Sequence, residues 1–237
     1  MRWLASAIPI LTVCIPNSLQ AIQVRLEVHP DAISIGQSAQ LTWEAQEGST
    51  VYISNIGRTG ASGRITVSPD RTTSYTLIIQ GVLGIQTTTT TLRVQGSRDV
   101  TPLTDIEHSR FPKTYTIPAR PLVDFLQCTH KALQDSMGFS LNEYEDRSTG
   151  KLIFATNRSQ RGYLVTQGEK GIRARRIAYV VEVTKPDPPQ HQLSYTIKAI
   201  IEYQRMVEKT WREEASEPLY VSEINRLKEE IGRLTDI

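Results

Sequence analysis

Between Ile22 and Val94 the side chains alternate between apolar and polar with almost no interruption. Ile22, Val24, Leu26 and Val28 fall on one phase, with Gln23, Arg25 and Glu27 on the other. Ala39, Leu41 and Trp43 repeat the pattern against Gln40, Thr42 and Glu44, and Tyr75, Leu77 and Ile79 do so later. Successive side chains of a strand point to opposite faces, so this period of two specifies strands with one dry and one wet face. Several such strands in a short span, with no helical period between them, predict an all-β sandwich over residues 22–96. Trp43 sits on the apolar phase and is expected in its core.

Turn residues punctuate the strands. Gly36 supplies a turn in Ile33-Ser34-Ile35-Gly36-Gln37, Gly57 to Gly63 reads as a loop, and Ser68-Pro69-Asp70 is a turn before Tyr75. Gly81 to Gly84 connects a hairpin into the β-branched run Thr87 to Thr91, which suits a strand. Gly36-Gln37-Ser38, Leu41-Thr42-Trp43, Ser68-Pro69 and Thr72-Thr73-Ser74-Tyr75-Thr76-Leu77 together resemble the immunoglobulin-like repeats of bacterial secreted and surface proteins. The resemblance implies that Trp43 fills the space between two sheets and that Tyr75 opens a late strand. It also implies a spacer, an adhesive unit or an appended binding module. The cysteine pair of antibody domains is absent, as is common in the bacterial repeats.

A chain of 237 residues accommodates two domains, and 39% hydrophobic with 22% charged residues is the balance of a folded protein. A formal charge of +2 makes no electrostatic case for nucleic acid or for an acidic membrane surface. Residues 1–21 read as a secretory signal: Arg2, an apolar run from Trp3 to Ile15, a break at Pro16-Asn17-Ser18, and the small Ala21. The expected mature chain begins near Ile22 and is exported to the periplasm, outer envelope or cell surface. Leu11-Thr12-Val13-Cys14 loosely resembles a lipoprotein lipobox, although Val13 stands where that pattern prefers Ala or Gly. An apolar cysteine inside the signal is the favoured reading. Membrane attachment is expected only if Cys14 is lipidated or the signal stays uncleaved. Removal of the signal leaves Cys128 alone, so no internal disulfide is expected.

Residues 97–113, with Gly96-Ser97, Pro102 and Pro112 around scattered charges, read as a linker. An α+β domain is expected over 114–237. Leu122, Phe125, Leu126, Leu133 and Met137 mark one face of a helix across Ala119 to Met137, with Pro121 in its first turn and Gly138 just past its end. Strands are expected at Phe139 to Tyr144, Leu152 to Thr156, Gly162 to Thr166, Ile172 to Thr184 and Gln192 to Tyr203. A final helix carries Tyr220, Ile224, Leu227, Ile231 and Leu234 as a narrow seam that packs on the sheet. This order of elements broadly resembles small bacterial envelope-protein domains, an antiparallel sheet with helices covering one face. Each half has its own apolar faces, so fragments 22–97 and 110–237 are expected to fold separately.

Chemistry is sparse. His29, His108, His130 and His191 lie far apart without ligand-like spacing, so surface or loop positions are expected, with no metal or cofactor. Cys128 and His130, two apart on a helix, point in nearly opposite directions, so Cys128 reads as a small apolar residue, not a nucleophile. Glu143, Glu145 and Asp146 read as solvated turn carboxylates. Lys170, Arg173, Arg175 and Arg176 form a short basic group and are the candidate partner-binding residues. The resulting expectation is a non-enzymatic exported envelope or surface protein that contacts another protein. The alternative is a glycan or small-ligand module using Tyr52 and the loops near Gly57 to Gly63.

Overall fold

The computed structural model describes residues 24–81, 84–96, 109–118, 120–146, 148–158, 172–186, 192–205 and 210–235. The expected signal segment with Cys14, the expected strand at 162–166, His108, Lys170 and His191 lie outside these residues. Strands dominate, with two helices in the second half.

The first half runs through β1 (Arg25–His29), β2 (Ala32–Ser34), β3 (Ala39–Glu44), β4 (Thr50–Ile53), β5 (Gly57–Thr59), β6 (Ser62–Val67), β7 (Thr73–Gly81) and β8 (Gly84–Gln95). One sheet has the order β1-β3-β6, and a second has the order β2-β8-β7-β4-β5. All pairings are antiparallel except β2 with β8, where Ala32 to Ser34 run parallel to Arg93 to Gln95. Leu26, Leu41 and Trp43 from the first sheet meet Val51, Ile53, Leu77 and Leu92 from the second in one buried core. Full burial of each such side chain contributes about 1.5–3 kcal/mol.

Trp43 is 8% exposed, and its Nε1 donates to Gly60 O at 3.0 Å. Its strand partner is Gly63, where a Cβ would lie 2.3 Å from Trp43 Cζ2. Glycine is therefore the residue that lets the indole lie across β6. The expected loop from Gly57 to Gly63 is instead β5, a two-residue tip and the start of β6. Gly57, at φ +101°, opens β5 directly after the turn that contains Asn55 at φ +62°. Glycines read as punctuation here serve strand crossing and close packing instead.

The second half contains β9 (Lys113–Pro118), α1 (Leu122–Lys131), a π-helical turn at Ala132–Ser136, β10 (Leu141–Glu145), β11 (Leu152–Thr156), β12 (Ile172–Thr184), β13 (Gln192–Arg205), β14 (Arg212–Glu213) and α2 (Glu217–Thr235). The sheet order is β10-β11-β12-β13-β14, with β9 also paired to β13. β9 occupies the end of the expected linker and the residues beyond it. Its short alternation between Pro112 and Pro118 is too brief to stand out, and β13 supplies the hydrogen bonds that hold it. Gly138, at φ +68°, follows the helical segment as expected.

Tyr179, Val181 and Val183 of β12 and Tyr195, Ile197 and Ala199 of β13 form the buried sheet face. Leu122, Phe125 and Leu126 of α1 and Tyr220, Ile224, Leu227 and Ile231 of α2 cover it. Two residues of the first half, Tyr52 and Ile78, belong to this same core. The halves are thus packed together through these two side chains.

Candidate functional site at the junction of the two halves

Glu143 lies mid-strand in β10 and is 2% exposed, which corrects its reading as a solvated turn carboxylate. Alternation along β10 turns Glu143 inward while Asn142 and Tyr144 stay half-buried. A buried carboxylate must be paired and hydrogen-bonded to offset its desolvation. Glu143 Oε2 accepts from Tyr52 Oη at 2.7 Å and from the Asn55 backbone N–H at 2.9 Å. Oε1 lies 2.5 Å from His130 Nδ1.

Asn55 locks the same pair of strands a second time. Its Oδ1 accepts from Glu143 N at 2.9 Å, and its Nδ2 donates to Glu143 O at 3.1 Å. Asn tolerates the left-handed backbone better than most residues, and here that conformation aims both amide and side chain at β10. Tyr52 comes from β4, His130 from α1 and Glu143 from β10, so three elements from both halves converge. No sequence spacing reports this, because 91 positions separate Tyr52 from Glu143.

Other contacts flank the carboxylate. Arg58 Nη1 lies 2.7 Å from Asp124 Oδ1, and Arg58 N donates to Gln127 Oε1 at 2.5 Å. Pro121 offers no side-chain cap to α1, and Gln80 Oε1 from β7 accepts from Val123 N at 3.2 Å instead. A first-half residue therefore satisfies a donor at the helix start that would otherwise need water.

Burial pulls the His130 pKa down, but the hydrogen bond and charge of Glu143, aided by Asp135, outweigh it and the net shift is upward. His130 is 8% exposed, correcting its expected surface position. Burial, then the charge of Glu143 and the hydrogen bond to it, raise the Tyr52 pKa well above the ordinary value, so the phenol stays a donor. A carboxylate orienting an imidazole is the arrangement that prepares a general base. Two observations oppose that use here. Cys128 Sγ instead donates to Leu234 O at 3.3 Å, and the void beside Tyr52, Leu126, Glu143 and Phe154 measures about 10 Å³. That volume is at the lower limit for a single water molecule.

Of the basic residues singled out from sequence, the side chains of Arg175 and Arg176 are described, and these two do not converge. Arg175 and Arg176 are neighbours on β12 and project to opposite faces. Arg175 is buried, with Nη2 3.6 Å from Glu214. Arg176 Nε lies 2.6 Å from Glu202, and its guanidinium sits 4.3 Å from the centroid of the Trp211 ring. Arg173 lies in β12. Among the described residues no three His, Cys, Asp or Glu side chains gather as a metal site, and no helix is long and apolar enough to cross a membrane.

No family model matches the chain, and no curated protein shows significant similarity to it.

Proposed function

We propose that this chain is a non-enzymatic, exported protein of the bacterial envelope or cell surface, acting in structure or assembly through protein–protein contacts. The first half is an immunoglobulin-like module that spaces or docks. Its strand orders, β1-β3-β6 and β8-β7-β4-β5, correspond to the A-B-E and G-F-C-C′ orders of that fold. Trp43 lies on β3, the counterpart of strand B, whereas the antibody-domain tryptophan lies on the strand equivalent to β4. The second half holds the partner-specific surface, around Arg173 and Arg176 on β12 or the outer face of α2.

The observation that carries this reading is the Glu143 junction. The buried groups best suited to acid–base chemistry hydrogen-bond one another across the two halves, beside a void of only about 10 Å³. Such a junction fixes the angle between spacer and binding domain, which suits a scaffold. The glycan alternative needs an exposed ring at Tyr52, and that side chain is 1% exposed. Affinity capture with the tagged chain from solubilised envelope fractions tests the proposal. A stoichiometric protein partner supports it, and retention on polysaccharide without a protein partner overturns it.

A further inference from the structure

The Thr87 to Thr91 run of β8 puts alternate hydroxyls on the two faces of its sheet. Tyr75, Leu77 and Leu92 mark the face that meets the sandwich core. Ser74, Thr76 and Ile78 of β7, opposite Thr91, Thr89 and Thr87 of β8, therefore point the other way, toward the second half. Ser74, Thr76, Thr87 and Thr89 floor a cleft of about 570 Å³ there, walled by Asn142, Tyr144 and Glu145 of β10. Small-molecule sites occupy roughly 300–1,000 Å³ and favour junctions of this kind. The floor is ordered in advance. The hydroxyls of Ser74 and Thr91 lie 3.0 Å apart and those of Thr76 and Thr89 lie 3.1 Å apart, and threonine is stiff at χ1. Each hydroxyl retains capacity for a further partner.

The chemistry of the lining selects among ligands. Among the described lining residues Glu145 is the one charged group, and Lys185 pairs with it, so the cleft carries no excess charge to hold an ion. An apolar ligand would leave the floor hydroxyls without partners. A peptide strand finds no ladder to join. β7 is paired on both sides, by β8 and β4, and Asn55 occupies both the N–H and the C=O of Glu143 at the centre of β10. A sugar meets each condition. Its hydroxyls donate and accept, as do Ser, Thr and the carboxamide of Asn142, while Glu145 accepts and the Tyr144 ring offers apolar surface to the C–H face of a pyranose. We infer that this cleft binds a neutral saccharide, its hydroxyls taken by the threonine floor and Asn142. Glycoside hydrolysis takes a pair of carboxyl groups, and the described lining supplies one, so the cleft binds without cleaving. The site is separate from Tyr52 and does not depend on the protein contacts proposed above.

Isothermal titration of the purified full chain with cellotetraose, chitotetraose and maltotetraose tests this, with inorganic phosphate as the charged control. The chain is titrated alone, so the result is independent of whether affinity capture finds a protein partner. At least one of these neutral sugars is expected to bind with a Kd of about 1 mM or tighter, and phosphate is expected not to bind. Asn142→Ala and Thr87→Val are each expected to weaken the sugar about two- to tenfold, the effect of one lost hydrogen bond. Gln40→Ala, in the separate groove beside β1, is expected to leave binding unchanged. Unchanged melting confirms that the variants are folded. Failure of all the sugars to bind overturns the inference. So does sugar binding that both Asn142→Ala and Thr87→Val leave unchanged, or binding of phosphate in preference to every sugar.

Discussion

Tyr52 donates to Glu143 across the boundary between the two halves, with oxygen to oxygen at 2.7 Å and both side chains almost completely buried. A charge-assisted hydrogen bond of this kind is worth about 1.5–3 kcal/mol. Tyr52→Phe is therefore expected to destabilise the full chain by about that amount. Glu143→Ala leaves His130 buried without its carboxylate and is expected to cost about 3–5 kcal/mol. Urea titration of both variants checks the values, and a loss below about 0.5 kcal/mol for Glu143→Ala removes the junction from the account.

The His130 shift sets a pH dependence. Its folded pKa is raised above the ordinary 6.5, so the stabilisation is fully present below about 6.5 and is lost as pH rises through the higher folded value. The charged neighbours in play are Glu143, Asp135 and Lys131. Melting temperature measured between about pH 5 and pH 9 is expected to fall on the alkaline side more steeply for wild type than for His130→Gln. Parallel curves for the two proteins contradict a stabilising imidazolium at this site.

Trp43 and Gly63 act as a unit in the first half. Trp43→Ala is expected to cost about 3–5 kcal/mol through the cavity it leaves. Gly63→Ala drives a methyl into the indole and is expected to cost about 1–3 kcal/mol. With the indole gone the added methyl has room, so the double variant should be markedly more stable than the sum of the single losses implies. Additive losses show that the ring does not rest on Gly63.

Much of the strand pattern was legible. The alternation Ala39 to Glu44 matches β3 residue for residue, as do Leu152 to Thr156 with β11 and Ile172 to Thr184 with β12. β3 buries one face against a continuous core and periodicity records that burial directly, whereas β11 is a short apolar run buried along its whole length. β9 was missed because its stability comes from pairing with β13 and only weakly from its own residues. The junction was missed for a related reason. Glu143 stands on a short strand among other acidic residues and reads as solvated, and its burial depends on Tyr52, Asn55 and His130 arriving from distant positions. A polar residue on the inward phase of β10 was the one available signal. The packing of Tyr52 and Ile78 into the core of the second half was not legible, because it joins residues distant in sequence.

The two halves are expected to behave as one unit held at Glu143. Differential scanning calorimetry of the full chain tests this directly. Wild type is expected to unfold in a single cooperative transition, with calorimetric and van't Hoff enthalpies in agreement. Glu143→Ala is expected to separate this into two transitions, one for each half. Two transitions already present in wild type, unchanged by Glu143→Ala, would contradict the account.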